Sequence, residues 1–182
     1  MVPQEAYVRS YLSLFGGLSP LAVQADARKG KNLFDTWDDY LASLGFPDYS
    51  EDIPRGGVTN SLMLATFERL GVSLCDRAIE HDLKATPLPT VDKRVIFAFE
   101  VPASAPDKAA FQERFDVLHR TFLGYPSSLA PEARVDRFFS LYQETAARHQ
   151  APGAPASQFS PEQAGWAAVC YGLVRHPEFH LY

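Results

Sequence analysis

Two cysteines, Cys75 and Cys170, are each followed six positions later by a histidine, His81 and His176, and His180 lies a little further on. Thiolate and imidazole are donors that zinc prefers, so a metal centre is the first chemistry this pattern suggests. Each pair alone has the wrong geometry on a helix. Six residues turn a helix by about 600°, leaving the side chains about 120° apart around the axis and about 9 Å apart along it. A site therefore needs one member from each segment. The two thiols could equally form a disulfide, Cys75 to Cys170, or sit as small core residues. His176, Glu178 and His180 spell H-x-E-x-H rather than H-E-x-x-H, and Pro177 blocks the ordinary helix that would align the imidazoles. The structural alternative is a tail packed on the body of the protein, with Phe179 and Tyr182 as anchors.

Other motifs are weaker. Asp48, Glu51 and Asp52 lack the spacing of a calcium loop and read as solvated surface. Arg55-Gly56-Gly57 could offer amides to an anion, but no strand precedes it and no lysine follows. There is no Gly-x-Ser-x-Gly, phosphate loop or dinucleotide fingerprint, and Asp35, Asp38 and Asp39 read as the wet side of a helix. The reading therefore leans away from an enzyme.

A formal charge of −5 with no cluster of Lys and Arg removes the electrostatic reason to bind a phosphate backbone, so nucleic acid is not an expected partner. No apolar run reaches the roughly 18 residues of a membrane span. The first residues, MVPQEAYVRS, lack the basic and apolar regions of a signal peptide. Two cysteines leave the redox compartment open.

The elements that must position these residues are helical. At 182 residues with 46% hydrophobic side chains, the chain can bury one core. Apolar residues at helical spacing predict a helix over 3–15, a short one after Ser19-Pro20, and another over 32–44. A long central helix is expected over 59–84, followed by helices from Asp107 to Gly124, from Pro131 to about residue 148, and from Ser160 to Arg175. In the last, Ser160, Pro161 and Gln163 form the signature of a capping box. The expectation is an all-α, single-domain bundle of about seven helices over 1–182. The Cys-x5-His echo also raises an internal duplication, with halves 1–85 and 107–182 joined by a proline-rich linker, 86–106.

One segment breaks the pattern. Residues 94–101, RVIFAFEV, are rich in β-branched and aromatic side chains without helical spacing and predict an extended stretch. A lone strand cannot satisfy its own amides. Either side chains and water take them, or Val95, Phe97 and Phe99 form a docking strand for another chain.

Three segments of the second half stand in order: FQERFDVLHRTFLGYP, LAPEARVDRFFSLYQETAARH, and a last helix ending in RHPEFHLY. Over about 107–182 they resemble the C-terminal helical region of planctomycete-type cytochrome c domain-containing proteins. There a helix ending in an Arg-Arg-Pro-like turn precedes an acidic helix, and a final helix closes with Ser-Pro-Glu-Phe-Leu-Tyr. Here the first signal reads Leu118-His119-Arg120 followed by Tyr125-Pro126, and the last reads His176-Pro177-Glu178-Phe179.

The resemblance implies an exported protein, periplasmic or extracellular, in an assembly with haem proteins; a cytoplasmic location is the alternative. It carries over no catalytic residues. The chain has no Cys-x-x-Cys-His and cannot attach a c-type haem, so any haem comes through a partner, with a cytochrome-type redox protein as the expected class. The expected function is a noncatalytic interaction module without cofactor. The alternative is a subunit binding zinc or noncovalent haem through His81, His176 or His180.

Overall fold

The computed structural model describes residues 13–15, 61–101, 104–131, 133–152 and 159–180. Four helices carry the fold: α1, Ser61–Lys84; α2, Lys108–Leu123; α3, Ala133–Gln150; and α4, Pro161–Val174. Three 3-10 turns punctuate them, at Val91–Lys93, Ser127–Leu129 and Pro177–His180. Residues 13–15 are also helical. The described part is all-α, with no strand. Five of the seven expected helices fall at least partly within it. Those expected after Ser19-Pro20 and over 32–44 lie outside the described residues, as do the loop carrying Asp48, Glu51, Asp52 and Arg55 and the anchor Tyr182.

Local chemistry sets the helix ends. Asp107 accepts the Ala110 N–H at 2.8 Å and starts α2. Gly124 ends it in the left-handed region, φ 79°, returning its N–H to the Arg120 carbonyl at 2.9 Å. A side chain would be strained at that φ. At α4 the capping box closes in both directions, the Ser160 hydroxyl accepting the Gln163 N–H and the Gln163 side chain accepting the Ser160 N–H.

The four helices gather around α4, which packs against each of the others and most extensively against α3. Nine of its 14 residues are buried, and its apolar residues lie all round, as suits a helix enclosed on every side. Glycines make the α3 contact close. An ideal Cβ at Gly165 would lie 2.6 Å from the Tyr142 ring, and one at Gly172 would lie 2.7 Å from Phe138. Trp166 is the hub of an aromatic cluster, stacked on Phe111 at 5.1 Å and in contact with Tyr142 at 5.3 Å and Phe99 at 4.9 Å. Such pairs contribute about 0.5–1.5 kcal/mol each beyond area burial. The core is continuous from Phe15 through α1 to Phe179.

Residues 94–101 pair with no other strand among the described residues, and their amides go to a side chain, the first of the two arrangements expected of them. They form a looped excursion that Asp82, near the end of α1, holds from inside. The fully buried carboxylate accepts the N–H groups of Val95 at 2.8 Å, Ile96 at 2.9 Å and Phe97 at 3.0 Å. Arg94 closes the loop by donating to the Phe99 carbonyl at 2.6 Å and the Pro89 carbonyl at 3.3 Å. A carboxylate with two oxygens can take several donors, so one side chain replaces a missing partner strand.

Candidate functional site

Cys75 of α1 and Cys170 of α4, 95 positions apart in sequence, are joined as a disulfide with Cα atoms 6.1 Å apart. Both are fully buried. This removes the thiolates from the Cys2His2 zinc set, because a bonded sulfur is no thiolate donor. His81 donates from Nδ1 to Asp82 at 2.7 Å, and His176 accepts the backbone N–H of Glu178 on Nδ1 at 3.2 Å. The His180 side chain lies outside the described set. Among the described residues no group of three His, Cys, Asp or Glu is placed to hold a metal ion.

The candidate docking strand is spent within the chain. The amides of Val95 and Phe97 go to Asp82, and that of Phe99 goes to the Phe97 carbonyl at 2.7 Å. Phe97 is fully buried, and Phe99 lies on Trp166.

The richest constellation of polar side chains lies where the C-terminal turn meets α2 and α3. Arg134, in the first turn of α3, faces inward with its side chain 9% exposed and grips Glu178 at two points, 2.6 and 3.0 Å. Its Nη1 also donates to the Tyr125 hydroxyl at 2.6 Å and to His119 Nε2 at 3.1 Å. Tyr125 in turn donates its hydroxyl to Glu178. His119, fully buried on α2, donates from Nδ1 to the Tyr125 carbonyl at 2.7 Å. One turn earlier, Asp116 accepts the N–H and hydroxyl of Ser127 at 2.6 and 2.8 Å, fixing the turn that leads into α3.

The electrostatics follow from these contacts. The Arg134 hydrogen bond, with that from Tyr125, holds the Glu178 carboxyl at about 2 against an ordinary value of 4.5. Burial and the bond to Glu178 raise the Tyr125 hydroxyl. Burial lowers His119, and Arg134 adds to the effect, although the Tyr125 carbonyl and the Asp116 and Glu178 carboxylates oppose it. His176 is lowered by burial and by Arg134. The cluster satisfies itself: the guanidinium, the carboxylate and both nitrogens of His119 have partners inside it. Such a network specifies geometry.

Sequence reading named His119 and Tyr125 within a motif, gave them no site role, and did not single out Arg134. His119 and Tyr125 lie in the segment 111–126, Arg134 in the segment 129–149 and Glu178 in the segment after α4. Those segments meet in space at this cluster.

Further polar links join α1 to α4. The Tyr171 hydroxyl donates to Asp76, Arg175 pairs with Glu68 at 2.8 Å, and Gln163 donates to the Leu83 carbonyl at 3.0 Å. No described helix is long and apolar enough to cross a membrane. No family model, curated protein or solved structure matches the chain.

Proposed function

We propose that the chain is a noncatalytic helical interaction module in an exported or cell-envelope assembly, with a cytochrome-type redox protein as its partner class. The observation that carries the reading is the Cys75–Cys170 bond, which ties α4 to α1 deep in the core. Disulfides of this kind form and persist in oxidising compartments and are rare where thiols are kept reduced. The resemblance of residues 107–182 to helical regions that accompany haem-binding segments supports the partner class. The self-satisfied cluster around Arg134 supports a structural role for the family-like residues.

The test has two arms, both on protein from the native host. Mass spectrometry without reductant is expected to show the chain lighter by two hydrogens and recovered from the envelope or external fraction. Crosslinking in intact cells, followed by absorption spectroscopy of the purified adduct, is expected to show a Soret band that is absent from the chain alone. A reduced chain in the cytoplasm overturns the location. A Soret band in the isolated chain overturns the noncatalytic module in favour of a haem-binding subunit.

A further inference from the structure

We propose that His119 and His176 make the C-terminal turn an acid-sensitive latch, closed while both imidazoles are neutral and released when they take up protons. The inference stands apart from the proposed function and rests on hydrogen-bond geometry.

His119 Nδ1 faces the Tyr125 carbonyl at 2.7 Å, and a carbonyl only accepts, so the proton is on Nδ1. Nε2 faces the Arg134 guanidinium at 3.1 Å, and a guanidinium only donates, so Nε2 presents its lone pair. The ring is therefore neutral in the closed state. A second proton would set N–H against N–H and cation against cation inside a fully buried site. His176 meets the same constraint. Its Nδ1 accepts the Glu178 N–H at 3.2 Å, a bond that a proton on that nitrogen abolishes.

The surrounding charges are Arg134 from α3, Asp116 from α2 itself, and Glu178 from the C-terminal turn, with the Tyr125 hydroxyl between them. The two carboxylates favour protonation of His119. They are already engaged, Glu178 by Arg134 and Tyr125 and Asp116 by Ser127 and Arg120. Two added protons set imidazolium against the Arg134 guanidinium and strip the Glu178 N–H of its acceptor, Nδ1 of His176. What is then released is the turn Pro177–His180, otherwise held by the Glu178 contacts and by Phe179 against Phe122 at 5.8 Å.

The sign follows from linkage. Free imidazoles titrate near about 6.5, while the closed latch keeps them neutral. Below that pH the open state binds protons that the closed state refuses, and opening rises by up to about tenfold per histidine for each pH unit.

The test is amide exchange of the full-length protein between pH 7.5 and 5, corrected for the intrinsic pH dependence. This range lies above the titration of free carboxylates. Protection of the Glu178 and Phe179 amides is expected to collapse toward pH 5, while the Tyr142 amide in α3 stays protected. His119→Gln and His176→Gln should each flatten the slope, and the double variant should abolish it. Should a variant fail to fold, nitrogen NMR of the wild-type imidazoles decides: neutral His119 rings until the turn opens support the latch. Exchange that does not change with pH, a double variant with the wild-type slope, or doubly protonated His119 in a closed turn overturns it.

Discussion

Arg134 and Glu178 meet through two parallel hydrogen bonds, Nη2 to Oε1 at 2.6 Å and Nη1 to Oε2 at 3.0 Å, across 44 residues of sequence. The planar fork of a guanidinium matches a carboxylate edge to edge, which gives the pair direction as well as charge. The pair joins the start of α3 to the turn after α4.

Removing either partner leaves the other with unmet bonds. Arg134→Met and Glu178→Gln are each expected to lower unfolding free energy by about 2–3 kcal/mol, with a coupling of about 1–2 kcal/mol in the double variant. Urea unfolding at pH 7 measures both. The Glu178 carboxyl is lowered to about 2 from 4.5, so its contribution is fully present above about 4.5 and is lost as pH falls toward 2. The gap between wild type and Glu178→Gln should narrow over that window.

At the α3–α4 contact, a Cβ on residue 165 meets the Tyr142 ring at 2.6 Å, and that ring is itself fully buried. Gly165→Ala is expected to cost about 1–3 kcal/mol through overpacking, although alanine favours a helix intrinsically. The reference is Ala109→Gly, at an exposed position in the first turn of α2, which should cost less. Thermal unfolding of both variants reads the difference.

Asp82→Asn keeps the shape of the side chain and replaces one accepting oxygen with a donor. That NH2 then stands where an oxygen accepted, against the Val95 N–H and His81 Nδ1 or against the Ile96 and Phe97 N–H groups. A loss of about 2–3 kcal/mol is expected, with faster exchange of the Val95, Ile96 and Phe97 amides. Unchanged exchange at these positions would show that the carboxylate does not hold the loop.

The Cys75–Cys170 bond closes a loop of 95 residues. Chain-entropy reasoning puts its contribution at about 4–5 kcal/mol, so the Cys75→Ala, Cys170→Ala double variant should unfold at markedly lower denaturant. Because both sulfurs are buried, reductant without denaturant should leave the bond intact over hours, as followed by thiol titration.

Much of the described fold was legible because helix signals are local. The spacing of Phe111, Phe115, Leu118 and Phe122 marks α2, and Asp107 and Gly124 mark its ends through bonds that reach no more than four residues. Ser160 and Gln163 announce α4 in the same way. The segment 94–101 left two arrangements open because its composition records burial, and burial of Ile96 and Phe97 is common to strands and to loops anchored from within. What separates the two is the Asp82 carboxylate, 13 residues away from Val95. The cluster around Arg134 was illegible for a related reason. Its members are polar residues that look solvated one at a time, and only their convergence shows His119 and Arg134 buried with Tyr125 and Glu178 half-buried beside them.

The sequence by itself determined the all-α character of the described residues, the bounds and caps of α2 and α4, and the absence of a Cys-x-x-Cys-His haem attachment motif. Each depends on residue type and short spacing alone. Tertiary structure decided three matters: Cys75 and Cys170 are bonded rather than free to hold a metal, Asp82 takes the place of a partner strand, and Arg134 is joined to Glu178, Tyr125 and His119. All three depend on which helix faces meet. Many weak apolar contacts, summed over a continuous core, settle that pairing, and no spacing within one segment encodes it.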